Sequence, residues 1–130
     1  MTSVPTTPVP MRLGIVGSRT FTDKSLMTQV IEDFFAVSDC DVIVSGGAIG
    51  ADLMAGALAR SIGIELVEHL PDRERYGWPA AAWVRNQLIV DDSDILFAFY
   101  GPDGESSGTA DTVRRAVKKR IPTHLYFQRP

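Results

Sequence analysis

Val44-Ser45-Gly46-Gly47-Ala48-Ile49-Gly50-Ala51-Asp52 joins an apolar run to a glycine-rich turn and then to a segment with helical periodicity. The same order occurs upstream in Ile15-Val16-Gly17-Ser18-Arg19. It recurs downstream in Phe97-Ala98-Phe99-Tyr100-Gly101, which leads into Ser107-Gly108-Thr109. Strand, glycine turn and helix in repetition is how an open parallel sheet builds a pocket for a phosphorylated ligand. Turn glycines let the backbone approach an anion, and the next helix directs its free N–H groups and positive dipole end at it.

Outward from these turns the pattern alternates. Leu13 to Val16 reads as a first strand, apolar enough to be covered on both faces. Thr22 or Asp23 caps a helix whose stripe is Leu26, Val30, Ile31, Phe34 and Phe35. Val42 to Val44 is the second strand. A helix from about Ala51 to Ser61 turns Leu53, Met54, Ala57 and Leu58 inward and stops at Gly63. Ile64 to Glu68 is the third strand. Leu70 to Pro79 is irregular, a helix spans about Ala80 to Val90, and Ile95 to Phe99 is the fourth strand. A helix from about Thr109 to Arg120, capped by the Ser107–Thr109 stretch, and a strand from Thr123 to Phe127 complete the chain. This alternation predicts an α/β fold: a Rossmann-like three-layer sandwich on a five-stranded, mainly parallel sheet of order 3-2-1-4-5. Residues 1–10, with Pro5, Pro8 and Pro10, are expected to be a flexible arm, and 11–130 a single domain. In this order the loops after strands one and four part, and the ligand crevice lies between them.

Composition bounds the function. The 130 residues are 45% hydrophobic and carry a net charge of −3, so no global positive field attracts nucleic acid or an anionic membrane. Nucleic acid is therefore not expected as a partner. No apolar run is long enough for a membrane span, and the first residues lack a signal-peptide pattern, so a cytoplasmic location is expected. Cys40 is the only cysteine, and its carboxylate neighbours Asp39 and Asp41 argue against a reactive thiolate. His69 and His124 have no ligand spacing and read as structural; no metal site is expected. The basic run Arg114-Arg115 with Lys118-Lys119-Arg120 reads as a solvated helix face.

The ligand-binding candidates follow from the turns: Gly17, Ser18, Arg19, Gly46, Gly47, Gly50, Asp52, Arg85, Asn86, Ser107, Gly108 and Thr109. Backbone amides and hydroxyls at these turns suit phosphate, and Arg19 and Arg85 suit its charge. Asp52 either complements a helix dipole or contacts the ligand, and Asp52 or Asn86 would reach a sugar. The spacing GG-x-x-G after the second strand does not fit the dinucleotide fingerprint, which argues against NAD. Tyr76, Trp78 and Trp83 are either a lid that stacks on a base or the cover of a hydrophobic edge or dimer contact.

These pieces, with Ala55, Asp94 and Ala110, resemble the SLOG superfamily and within it the YspA/YpsA-like branch. The resemblance covers nearly everything after the N-terminal arm. It implies a Rossmann-like domain, as a homodimer, that binds a nucleotide or nucleotide-derived small molecule as a sensor or signalling module. No cofactor is implied beyond a Mg²⁺ ion that a phosphorylated ligand can bring. Two relatives imply alternatives. Lonely Guy-type phosphoribohydrolases, which are N-glycosidases acting on nucleoside monophosphates, carry P-G-G-x-G-T-x-x-E. Here that motif reads Glu105-Ser106-Ser107-Gly108-Thr109-Ala110-Asp111-Thr112, with Thr112 at the place of the catalytic Glu. Asp111 is one position early, about 100° around a helix. That leaves Arg85, Asp52 and Asp111 as catalytic candidates, with Glu105 as a further acid, and leaves enzymatic activity open. The DNA-processing protein A group, which binds single-stranded DNA, shares the G-S-R and S-G-x-A-x-G-x-D-type turns; for that mode only Arg19, Arg73, Arg75 and Arg85 would line the mouth.

Overall fold

The computed structural model describes residues 11–130 except Glu105. The arm expected at residues 1–10 and the acid candidate Glu105 lie outside the described residues. Among the described residues, five strands and five helices follow one another as β1 (Arg12–Gly17), α1 (Lys24–Val37), β2 (Val42–Ser45), α2 (Ala51–Ile62), β3 (Glu65–Glu68), α3 (Arg73–Tyr76), α4 (Ala80–Asp91), β4 (Ile95–Tyr100), α5 (Ser107–Lys119) and β5 (Thr123–Phe127). All strand pairs are parallel, and the sheet order is β3-β2-β1-β4-β5, as the alternation predicts.

Strand side chains alternate between faces, and each face has its own core. Leu13, Ile15, Ile43, Phe97 and Phe99 pack with Met27 and Ile31 of α1 and with Ala51, Ala55 and Ala59 of α2. Val16, Val42, Val44, Leu96, Ala98 and Tyr100 pack with Ile89 and Val90 of α4 and Ala116 of α5. The central strands are thus apolar on both sides because helices cover both sides.

One expected face is different. Leu53 and Ala57 of α2 are exposed, and Leu58 and Met54 are only half-buried. The buried face is Ala51, Asp52, Ala55, Gly56 and Ala59. Small side chains let the helix axis approach the sheet, so the bulkier apolar residues fall to the flanks. At the N-terminus of α1, Asp23 is the cap: its Oδ1 accepts from the Leu26 amide at 3.0 Å. Gly63 caps the C-terminus of α2 as expected. The irregular stretch before α4 contains the single turn α3 and a cis Trp78–Pro79 bond.

Aromatic rings fill the β4–β5 side. Phe99 sits 5.3 Å from Phe21 and stacks at 5.1 Å on Tyr126, while Phe97 meets Phe34 edge-on at 5.2 Å. His69 Nε2 donates to Asp92 Oδ2 at 2.8 Å, and Asp92 also pairs with Arg12 at 2.8 Å, so this histidine is a structural strut. Truncating the fully buried ring by Phe99→Ala is expected to cost about 3–5 kcal/mol in urea unfolding, because a cavity opens between Phe21 and Tyr126. A loss below about 1 kcal/mol would show that the aromatic stack collapses to fill the gap.

Candidate functional site

Next to the sheet the loops after β1 and β4 are stitched together. The Ser18 amide donates to Phe99 O at 2.9 Å, and the Gly101 amide donates to Ser18 Oγ at 2.7 Å. Thr20 Oγ1 adds a bond to Asp103 Oδ1 at 3.1 Å. Main-chain groups at the ends of adjacent parallel strands need partners, and Ser18 supplies them. The hollow opens beside these bonds, between the β1 turn, the start of α2, the body of α4 and the first turns of α5, and residues following both β1 and β4 line it. Its volume is about 670 Å³.

Of the candidates, Gly17, Ser18, Arg19, Asp52, Arg85, Asn86, Ser107, Gly108 and Thr109 line this crevice, together with Asp111. Gly46, Gly47 and Gly50 do not. Gly47 faces Glu68 and Leu70, and Gly50, at φ 94°, lies against the backbone of Ser18 and Arg19. Any side chain at Gly50 would collide with that backbone, so this glycine seats α2 under the β1 turn, where the Ala51 amide donates to Ser18 O at 3.3 Å. Ser18 is also not a free hydroxyl, because its oxygen is held by the Gly101 amide.

At α5 the cap is Ser106, one residue before the expected stretch. Its Oγ accepts from the Thr109 amide at 3.3 Å and donates to Thr109 Oγ1 at 2.8 Å. Ser107 and Gly108 become first-turn residues whose amides have no acceptor within the helix. Arg114, expected on a solvated face, also lines the crevice. Its spacing carries a signal for this: Ser107, Asp111 and Arg114 stand at i, i+4, i+7 along one helix face. The rest of the basic run is not simply solvated either. Arg115 donates to Asp111 at 2.8 Å and to Gln87 at 3.0 Å, and Lys119 pairs with Asp91 at 3.0 Å, tying α5 to α4.

The two described acid candidates differ sharply. Asp111 accepts from Asn86 Nδ2 at 3.0 Å, Arg115 Nε at 2.8 Å and Arg114 Nη2 at 3.2 Å. Burial pushes its pKa up, but these donors and charges outweigh that and hold it below the ordinary carboxylate value. Asp111 is thus an ionised, fully engaged carboxylate. Asn86 is equally committed, since its Oδ1 accepts from Arg85 Nε at 3.0 Å. Thr112, at the place of the hydrolase Glu, donates to Gly108 O at 3.0 Å within its own helix.

Asp52 is the opposite case. It is the second residue of α2 and only 5% exposed. Its Oδ2 accepts from the Ala48 amide at 3.3 Å, while Oδ1 is the one buried side-chain oxygen or nitrogen without a partner among the described residues. Burial raises its pKa from 3.8 to about 6, opposed by the Ala48 amide and the charge of Arg85. Arg85 lies close by but spends Nη1 on Gly46 O at 3.0 Å and forms no ion pair among the described residues. A Cβ at Gly46 would stand 2.8 Å from both Arg85 Nη1 and Asp52 Oδ2, so glycine is required for the two groups to close around this turn. Burial pulls Arg85 below its ordinary value, Asp52 opposes this, and Arg19 adds to it.

The lip of the crevice is aromatic and basic. Trp78 and Trp83 line it and are 53% and 51% exposed, and the Arg73 guanidinium lies 4.4 Å over the Trp78 ring. Arg75 sits 5.3 Å over Tyr76 beside it.

Comparison with known proteins places this geometry. Residues 11–76 match the family described as YAcAr, the YspA, cpYpsA-related SLOG family. The Gene 61 protein of Mycobacterium phage D29 is 31% identical over 125 residues, which cover 92% of this chain and 98% of that protein. Among solved structures, DNA processing protein A from Helicobacter pylori, described by its single-stranded DNA binding mode, superposes with a TM-score of 0.70 at 21% identity, over 92% of this chain and 66% of that one. DNA processing protein A from Streptococcus pneumoniae gives 0.58 at 15% identity, over 88% and 58%. The chain thus spans less than two thirds of either solved protein's length, and the likeness establishes a shared fold. It also overturns the expectation that nucleic acid is no partner: a protein of this architecture is described as binding single-stranded DNA. A net charge of −3 misleads because it averages over the surface, whereas Arg19, Arg85 and Arg114 all face one crevice. Among the described residues no helix is long and apolar enough to cross a membrane.

The raised pKa of Asp52 has a definite sign in stability. Between about pH 4 and 6 the folded state holds a proton that the unfolded chain has lost, so Asp52 weakens the fold increasingly as pH rises through that window. Asp52→Asn is therefore expected to gain stability over wild type from pH 4 to pH 7.5, by up to about 3 kcal/mol, in urea unfolding at several pH values. A difference between the two proteins that stays constant with pH would contradict the assignment.

Proposed function

The chain belongs to the YspA, cpYpsA-related SLOG family, and on that premise we propose that its crevice binds a nucleotide unit by its phosphate, with single-stranded DNA as the foremost source of that unit. The observation that carries this is the meeting, in one hollow, of the first-turn amides of Ser107 and Gly108 with the guanidinium groups of Arg19 and Arg114. Amides at a helix N-terminus and exposed arginines are complementary to a phosphate in geometry and in charge. The exposed indoles of Trp78 and Trp83 at the lip offer a π-face to an unstacked base, worth about 1–3 kcal/mol per base in single-strand binders. The fold shared with DNA processing protein A supports the strand as the source.

A second reading, a free nucleotide bound as a signal, is favoured by the size of the hollow: about 670 Å³ is room for one nucleotide. The two readings share the phosphate site and differ in what extends beyond the lip. N-glycosidase chemistry has less to rest on, since Asp111 is engaged and Thr112 is bonded within α5, leaving Asp52 as the only candidate acid with a spare oxygen among the described residues.

Fluorescence anisotropy with a labelled oligo-dT, and calorimetry with nucleoside mono-, di- and triphosphates, test the proposal. Oligonucleotide affinity is expected to fall steeply with added salt. The double variant Arg19→Ala/Arg114→Ala, in which both side chains are solvent-facing, is expected to weaken binding roughly ten- to hundredfold. The absence of binding to strand and nucleotides alike at low salt, or binding that survives the double variant, would overturn it.

A further inference from the structure

Four side chains that line the crevice form one hydrogen-bonded row. Arg85 Nε donates to Asn86 Oδ1 at 3.0 Å, Asn86 Nδ2 to Asp111 Oδ2 at 3.0 Å, and Arg114 Nη2 to Asp111 Oδ1 at 3.2 Å. The Asn86 amide and the Asp111 carboxylate thus stand between two guanidinium groups and hold them apart, in a network that fixes its own members. Charge along the row is uneven. At the Arg85 end, Arg19 is a second guanidinium, near enough that its charge disfavours that of Arg85. Neither forms an ion pair among the described residues. Asp52, buried beside Arg85, sets one negative charge against these two positive ones. Like charges held together repel, and an anion placed between them relieves the repulsion. At the other end Arg114 is exposed, on the face of α5 that carries Ser107, whose free first-turn amide opens on the same hollow. Between the ends the wall is the Asn86 amide and the Asp111 carboxylate. Arg115, which also bonds that carboxylate, does not line the hollow.

We propose that the crevice has two anion positions, one at Arg19 with Arg85 and one at Arg114 with the opening of α5, so that it takes a nucleotide whose two phosphates are set apart by the sugar, as on the 5′ and 3′ sides of one residue in a strand. This rests on the reading of the crevice as a nucleotide site. A single phosphate fills one position and leaves the other empty. A block of adjacent phosphates reaches from one position toward the other only over Asp111, where like charges repel. A sugar is uncharged and crosses that stretch without this cost. Spaced phosphates are therefore selected over the same charge in one block.

The test is calorimetry on the full chain, in buffer free of Mg²⁺, with dTMP, dTTP and thymidine 3′,5′-bisphosphate. The last two carry the same charge when fully ionised, so they differ in phosphate spacing alone. The bisphosphate is expected to bind roughly tenfold more tightly than either of the others. Arg19→Ala and Arg114→Ala, at exposed positions outside both cores, are each expected to remove that advantage and bring the bisphosphate down to the affinity of dTMP. A bisphosphate no tighter than dTTP in wild type, or an advantage that survives either variant, would overturn the assignment. Competition separates the two sources of such a ligand: displacement of the bisphosphate by oligo-dT identifies a strand, and its retention identifies a free nucleotide. If dTMP and oligo-dT bind and the Arg19/Arg114 double variant weakens them, while the bisphosphate gains nothing over dTTP, only the paired positions fall. If wild type binds none of the probes, the nucleotide site falls with them.

Discussion

Ser18 is the residue on which the arrangement turns. Its amide holds the end of β4, its hydroxyl holds Gly101 just beyond, and its carbonyl receives the amides of Phe21 and Ala51, each at 3.3 Å. One buried residue thus joins β1, β4, the β1 turn and the start of α2. Peptide groups at the carboxyl ends of parallel strands have no ladder partners beyond the last pair, and leaving several unpaired in a buried place would cost more than the fold can spare. Ser18 ties the roots of the two central loops together, and the hollow lies beside that tie, on the α4 and α5 face of the sheet.

That position sets the chemistry of the walls. The α4 side contributes Arg85 and Asn86, which with Asp111 form a closed chain of charge-assisted bonds. Closed networks of this kind are rigid and present a fixed surface. The groups left over are the informative ones: first-turn amides at α5, the solvent-facing guanidiniums of Arg19 and Arg114, and a buried carboxylate oxygen at α2.

Fold and site were legible to different depths. The strand–turn–helix alternation and the apolar composition of β1, β2 and β4 identify a parallel sheet covered on both faces, and the sheet order follows from right-handed crossovers. The turns that meet at the sheet's carboxyl edge were also readable, since a glycine directly after an apolar strand marks a sharp change of chain direction. The face of α2 was not. Hydrophobicity ranks Leu53 above Ala55, whereas close approach to the sheet selects the smaller residue. Nor was the role of Gly46, Gly47 and Gly50: a glycine that admits a ligand and one that admits a neighbouring backbone look alike in one dimension.

The sequence alone determined the order of elements, the two-faced sheet and the family resemblance, because periodicity and turn chemistry are local and each residue carries its own share of them. Only the tertiary structure decided which polar groups were already satisfied. Asp52 and Asp111 are the same residue type in the opening turns of two helices, yet one keeps a bare oxygen and the other is held by three donors. That difference lies in atoms contributed by other segments, Ala48 and Arg85 around the first and Asn86 with Arg115 around the second. Hydrogen bonding is a competition among whatever neighbours folding brings within about 3 Å, and chain order does not say which neighbours those are.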